Sequence, residues 1–205
     1  MYKKIFIVFE GIDGSGKTRH SLAAAKKIKS LRIPYIYIRE PGGSTEAENI
    51  RKFLLSKINK KFDSLTDTLL YLAARNENFL KNIKPFYKKK IIICDRFVDS
   101  TIAYQHYGFG VKKKLINFIN SEITRRIKPD FTFLMSLKVN ESLSRTSKKS
   151  KNNRYDKFNK KFYSRVQKGF LKISKADKKK YMIIDSSKKF QDNQKIIFNK
   201  ISKLM

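Results

Sequence analysis

The chain alternates short apolar runs with longer amphipathic stretches, and that alternation predicts its elements. Five runs read as strands: Lys4–Phe9, Tyr35–Arg39, Lys90–Asp95, Phe131–Leu137 and Tyr181–Asp185. They are apolar and rich in β-branched residues, and helical stretches separate them. Such an order argues for an α/β fold with a parallel sheet covered by helices on both faces. In the helical stretches, Leu22, Ala23 and Ile28 suit one apolar face, and Ile50, Phe53 and Leu54 suit a second. Leu69, Leu72 and Ala73 suit a third. Ligands of such sheets bind beyond the carboxyl ends of the strands. The ends of these runs are therefore where chemistry is expected.

The end of the first run carries the clearest signal. Gly11-Ile12-Asp13-Gly14-Ser15-Gly16-Lys17-Thr18 matches the phosphate-loop pattern G-x-x-x-x-G-K-[ST] between a strand and a helix. Glycines let the backbone curl so that successive N–H groups face phosphate oxygens, and the helix adds its positive end. Lys17 suits the β- and γ-phosphates, and the Thr18 hydroxyl suits Mg²⁺. The chain has only 8 glycines, and five of them are Gly11, Gly14, Gly16, Gly42 and Gly43. Two tight clusters in so poor a background mark backbone positions that other residues cannot take.

The second run ends in Arg39-Glu40-Pro41-Gly42-Gly43, a turn, and Thr45-x-x-Glu48 then reads as a capping box. Beside a phosphate loop, Arg39, Glu40 and Arg51 are candidate phosphate and metal-shell groups. The third run ends in Asp95-Arg96-Phe97. An acid there suits Mg²⁺, and the arginine suits bridging two phosphoryl groups. Tyr71 and Arg75, four apart, share a helical face that can stack on and hydrogen-bond a planar base. Thr101, Tyr104 and Gln105 present a hydroxyl, a ring and an amide on another face, which core packing would explain equally well.

Composition changes the picture in two places. The net charge is +31 over 205 residues. The lysines are spread in clusters such as Lys88–Lys90, Lys112–Lys114 and Lys178–Lys180, with no single basic arm. They are expected to cover solvated faces and to draw in anionic nucleotides, with no specific nucleic acid as partner. One cysteine, Cys94, lies in an apolar run and reads as an inert core thiol. His20 and His106 give no metal-ligand spacing. No apolar run approaches a membrane span, the N-terminal run is too short for a secretory signal, and a cytoplasmic location is expected.

Together these residues resemble thymidylate kinase in its bacterial form. The resemblance rests on Phe9–Thr18, Arg39–Gly43, Ala74-Arg75, Asp95–Phe97 with Ser100–Gln105, and Pro129–Thr132. Weaker matches are Asn153–Asp156 and Ile184–Ser186. It implies a P-loop nucleoside-monophosphate kinase fold, a five-stranded parallel sheet with a small mobile lid at about 143–157, all in a single domain over 1–205. It implies transfer of the γ-phosphoryl group of ATP to dTMP with Mg²⁺, supplying dTTP for DNA synthesis, commonly in a homodimer. Carried over by position, Gly11–Thr18 hold the ATP phosphates, and Asp185 and Ser186 border adenine. Asp13 lies near the sugar 3′-hydroxyl, and Arg51 and Arg96 hold the dTMP phosphate. Tyr71 stacks on thymine, Arg75 and Gln105 read its edge, and Tyr104 disfavours a 2′-hydroxyl. Ser100 and Thr101 lie near the same pocket. Members place a catalytic arginine in the phosphate loop or in the lid. Ile12–Ser15 carry no cation here, so a lid cation is expected, with Lys149 or Arg154 foremost and Arg145 and Lys148 as further candidates. A kinase for another nucleotide or a deoxynucleoside, and a nucleic-acid-dependent ATPase, stay open as alternatives from the residues alone.

Overall fold

The computed structural model describes residues 2–56, 62–147 and 158–205. Strands β1 (Phe6–Glu10), β2 (Tyr35–Arg39), β3 (Ile91–Asp95), β4 (Phe131–Ser136) and β5 (Tyr181–Asp185) make one parallel sheet in the order β2-β3-β1-β4-β5. All five fall on the expected runs. Side-chain alternation along β1 divides two cores. Ile5, Ile7 and Phe9 pack with Ala24, Ala25 and Ile28 of α1 (Lys17–Ser30) and with Ile197 and Ile201 of α8 (Phe190–Leu204). Phe6 and Val8 face the other way, into a core with Phe79, Ile83, Ile92 and the buried Cys94. Next to it, Leu134 of β4 packs with Phe162, Val166 and Phe170 of α7 (Lys160–Ala176). The register pairs Phe9 with Asp95 and Asp95 with Arg39, so the three strand ends that carry the motifs lie side by side.

Several helix faces differ from expectation. In α1 the buried set is Lys17, His20, Ser21, Ala24, Ala25 and Ile28, while Leu22 is exposed. In α2 (Thr45–Leu55) the N-cap is Ser44, one residue before the expected Thr45, and its hydroxyl accepts from the Ala47 N–H at 3.1 Å. Glu48 turns back to Arg39 and the Gly43 N–H, and Phe53 is 49% exposed while Leu54 is buried. In α3 (Ser64–Asn78) Leu72 is buried as expected, but Leu69 is 47% exposed and Ala73 is exposed too. The inner face of α3 carries Asp67, Thr68, Arg75 and Asn78 instead. They share the buried face with Leu72 and Ala74, and Arg75 among them lines a cavity.

The helix continues beyond α3 as a wide turn over Phe79–Ile83. A second such segment, Ile102–Gly108, extends α4 (Val98–Thr101). Wide helical turns of this kind often mark functional sites. The remaining helices among the described residues are α5 (Lys113–Thr124) and α6 (Val139–Ser147). Residues 148–157, which hold most of the expected lid, lie outside the described residues.

The α1–α8 contact carries a pH prediction. Gln194 Nε2 donates to His20 Nδ1 at 2.5 Å, and the His20 ring lies 4.6 Å from that of Phe190. Burial, reinforced by the charge of Arg19, pushes the imidazole down to about 4. A base depressed in the folded state contributes stability above its unfolded pKa of about 6.5 and loses it as pH falls. The melting temperature should therefore fall between pH 6.5 and 4 more steeply than in a His20→Phe variant. Parallel curves for the two proteins would contradict this role.

Candidate active site

The phosphate loop joins β1 to α1 and is shaped by its glycines. At Gly11, φ is +141° and an added Cβ would sit 2.5 Å from the Met135 carbonyl oxygen. Gly16, in the left-handed region at φ +83°, is the N-cap of α1, so the first helical N–H groups carry no side-chain cap and are open to an anion. Lys17 is nearly buried, with Nζ 3.6 Å from Asp13 Oδ1. Desolvation and the neighbouring Arg96 charge hold its ammonium below the usual lysine range. The Thr18 hydroxyl, in the first turn of α1, donates to Asp95 Oδ2 at the end of β3. The other carboxylate oxygen, Asp95 Oδ1, is buried and has no hydrogen-bond partner.

Arg96 sits at the centre. Its backbone is in the left-handed region at φ 71°, uncommon for a side chain of this size. The turn aims the guanidinium back over the phosphate loop. Nη1 donates to the Gly11 carbonyl at 3.0 Å and to Ser100 Oγ at 2.9 Å, and Nη2 donates to Asp13 Oδ1 at 2.5 Å. The Tyr104 ring lies beneath it at 5.2 Å, and the Tyr104 hydroxyl donates to Asp13 Oδ2 at 3.0 Å. Burial alone would raise the Asp13 carboxyl, but Arg96 and Lys17 hold it well below the usual range.

A second group of residues forms the wall facing the loop. Arg75 is buried and grips four partners. Nε donates to Glu40 Oε2 at 2.7 Å, Nη1 to Thr101 Oγ1 and Asn120 Oδ1 at 2.8 Å each, and Nη2 to the Phe97 carbonyl at 2.9 Å. Glu40 also accepts from Asn78 Nδ2 at 3.2 Å. Arg51 Nη1 donates to the Pro41 carbonyl at 2.6 Å, which anchors it on the turn after β2; the Glu40–Pro41 peptide there is cis. Arg39, more exposed, pairs with Glu48 at 3.1 Å.

These residues meet. Lys17, Thr18 and Asp95 on one side line a single cavity together with Asp13, Arg39, Glu40, Arg51, Tyr71, Arg75, Arg96, Ser100, Thr101, Tyr104 and Gln105. All the side chains expected on the nucleotide-monophosphate side are thus in one cup, facing Lys17. Pro41 and Leu55 complete its lining and were not expected. Arg75 and Glu40 contribute mostly as a buried scaffold, since their polar atoms are largely committed to each other and to their neighbours. Asp185 and Ser186 lie at the end of β5, where Arg145 Nη2 donates to the Ser186 carbonyl at 3.1 Å and Nη1 reaches the Gly14 carbonyl at 3.5 Å. Arg145 thereby ties α6 to the phosphate loop and to the end of β5. Lys148, Lys149 and Arg154 lie outside the described residues.

Glu10 is a site residue that the pattern did not single out. It ends β1 on the Phe6/Val8 face and is almost fully buried. Its carboxylate accepts from the Phe97 N–H at 2.7 Å, the Ser100 N–H at 3.2 Å and the Ser100 hydroxyl at 2.5 Å. Burial, and then Asp99, push its carboxyl up to about 8. Glu10 clamps the Arg96–Ser100 turn from below. An acid at the end of a wholly buried apolar strand is the signal that could have found it.

The family model for thymidylate kinase matches residues 9–197. The chain belongs to the thymidylate kinase family. It is 41% identical over 197 residues to the thymidylate kinase of Ehrlichia chaffeensis, covering 95% of this chain and 94% of the relative. It is 40% identical to that of Wolbachia pipientis wMel, with 92% and 94% covered, and 36% identical to that of Sulfurihydrogenibium sp., with 96% of each covered. The crystal structure of the Ehrlichia chaffeensis thymidylate kinase superposes with a TM-score of 0.78 at 34% identity, over 98% of this chain and 99% of that one. As a thymidylate kinase family member, the chain phosphorylates dTMP to dTDP with ATP. The fold is the P-loop type expected from the strand order and loop.

Proposed function

We propose the following division of labour for the thymidylate kinase reaction. The phosphate-loop amides and Lys17 hold the ATP triphosphate, and Arg51 and Arg96 hold the dTMP phosphate opposite. Phosphoryl transfer needs two anions held in line with their repulsion neutralised, and little covalent help. The observation that carries this reading is the single cavity that Lys17, Arg51 and Arg96 line together. Tyr71 stacks on thymine, Gln105 and Arg75 read its edge, and the Tyr104 hydroxyl and Asp13 border the sugar. Asp185 and Ser186 border adenine.

The buried, unpartnered Asp95 Oδ1 beside the Thr18 hydroxyl fits Mg²⁺, a hard cation that takes oxygen ligands. Thr18 and Asp95 would hold it, and when bound it neutralises charge across the β- and γ-phosphate oxygens. Arg145 already touches the phosphate loop, and Lys149 or Arg154 supplies the further lid cation on closure, over a lid of about 143–157 within one domain.

Specificity for thymine follows from one apolar contact on the methyl group. A missing methyl is worth about 1–3 kcal/mol. With purified protein and ATP, kcat/KM for dTMP should exceed that for dUMP by about 10- to 100-fold. Equal values would contradict the pocket assignment.

Homodimerisation has a physical basis on the outer helices. Phe53 of α2, Leu65 and Leu69 of α3, and Leu115 and Phe118 of α5 are all 37% exposed or more. α3, which carries two of them, packs against both α2 and α5, which carry the others. A second copy of the chain would cover them. Sedimentation should give a dimer for the parent and a monomer for Leu69→Glu/Phe118→Glu; a monomeric parent would contradict the assignment. A cytoplasmic location suits the composition, and among the described residues no helix is long and apolar enough to cross a membrane. Lysines 112–114 and 178–180 are all exposed, which suits a solvated coat.

A further inference from the structure

Behind the wall of the nucleotide cup lies a second cavity, of about 600 Å³, that shares no lining residue with the first. One wall is apolar, made by Phe97, Val98, Ile127 and Ile173. The facing wall is α5, which presents Asn120, Ser121 and Thr124. Arg126, Lys128 and Lys180 are exposed and line it too, against the acids Asp99 and Asp177. Asp99 is itself engaged, accepting from the Tyr181 hydroxyl at 2.7 Å.

Asn120 is the informative residue. It is only 4% exposed. Its Oδ1 accepts from Arg75 Nη1 at 2.8 Å, and a guanidinium can only donate, so the amide orientation is fixed. The Nδ2 end therefore points away from Arg75. It is buried and has no hydrogen-bond partner. A buried amide donor left unpaired is costly, and native structures retain few of them. Here the residue that carries it lines a roomy cavity whose mouth bears more positive than negative charge.

We propose that this cavity is a second binding site, for a small, partly apolar organic anion that carries a hydrogen-bond acceptor, and that Asn120 reports its occupancy to the nucleotide cup. The acceptor takes the free Nδ2 donor after a small shift of the side chains that cover it, the apolar body lies on Val98 and Ile173, and the anionic group meets Lys128 and Lys180. Coupling follows from the same amide. A ligand that draws on Nδ2 polarises Oδ1 and holds Asn120 against Arg75. Phe97 links the two cavities by a second route, since its carbonyl accepts from Arg75 Nη2 and the residue is part of the lining of the second cavity. The coupling, but not the binding, rests on the assignment of Arg75 to the dTMP cup.

Orotate is a suitable probe: a planar ring with carbonyl acceptors and a carboxylate, without the phosphate that the first site reads. Calorimetric titration of the full chain with saturating dTMP present should show one saturable site with Kd below about 1 mM. Lys128→Glu/Lys180→Glu, a surface change, should weaken it by about 10-fold or more. Ser121→Trp, which fills the cavity from α5, should abolish it. The Asn120 side-chain amide resonance should shift on binding. KM for dTMP should change at least about twofold at saturating orotate, with kcat changed less. No saturable heat up to about 10 mM orotate, or binding that both variants leave intact, would overturn the site. Binding with an unchanged KM would overturn the coupling. A protein that failed to phosphorylate dTMP would still report the site through the calorimetry and the Asn120 resonance.

Discussion

Replacing Arg96 by alanine is expected to lower kcat for dTMP phosphorylation by about 10²- to 10³-fold, the usual loss when one preorganised donor to a developing charge is removed. The same guanidinium contacts Gly11, Asp13 and Ser100, so it fixes the distance between phosphate loop and cup as well as supplying charge. KM for dTMP should rise too, while KM for ATP changes less, because the loop amides and Lys17 are untouched. Arg96→Lys should recover only part of the loss, since an ammonium cannot reach the loop carbonyl, Ser100 and Asp13 together. The backbone supplies a control. Arg96 sits at φ 71°, where alanine is as strained as arginine and glycine is not. Arg96→Gly should be as inactive as Arg96→Ala but more stable, by about 1 kcal/mol. A glycine variant no more stable than the alanine one would mean that this turn is relaxed by other means. An alanine variant within threefold of the parent in kcat would remove Arg96 from the reaction.

Arg75→Met is expected to lower stability by about 3–5 kcal/mol, because it leaves the Glu40 carboxyl buried without its partner. For a chain of this size that is a fall in melting temperature on the order of 10 °C. The Arg75 guanidinium and Glu40 carboxylate are both almost wholly buried, and Arg75 also joins α3 to Thr101, Asn120 and the Phe97 carbonyl. Burial already pushes the Glu40 carboxyl up, against the pull of Arg75. Without Arg75 it should take up a proton, so the deficit should shrink as pH is lowered. The double variant Arg75→Met/Glu40→Gln should regain much of the stability and none of the activity, separating the scaffold from the base-reading role. Thermal melts of the three proteins at two pH values check this. A loss under about 1 kcal/mol for Arg75→Met would show that the pair carries little.

The parts that could be read from the chain alone were those set by local chemistry. The strands are short apolar runs between turns, and β2 and β5 begin and end where the pattern places them. The phosphate loop and the Asp95-Arg96 turn carry their own backbone and charge requirements. Helix faces were harder, for a reason tied to function. Hydrophobicity assigned Leu69, Ala73 and Phe53 inward, yet α3 buries Asp67, Thr68, Arg75 and Asn78 beside Leu72 and Ala74, and of these Arg75 lines the cup. On the turn that carries Tyr71 and Arg75 the needs of the site outrank hydrophobicity, and Leu65 and Leu69 are left exposed. Glu10 and Asn120 were hidden for another reason. Their roles depend on partners 87 and 45 residues away, the Phe97 N–H and the Arg75 guanidinium, and only the folded chain supplies these.

The account depends on a donor anion and a thymine nucleotide held face to face across Lys17 and Arg96. The most direct measurement is the ratio of dTDP to ADP formed from ATP and dTMP by the purified protein, alongside ATP turnover with dTMP omitted. One dTDP for each ADP, with turnover at least about 100-fold slower when dTMP is absent, is the predicted result. ADP release at the same rate without dTMP, or release that responds to polynucleotide in its place, would contradict it.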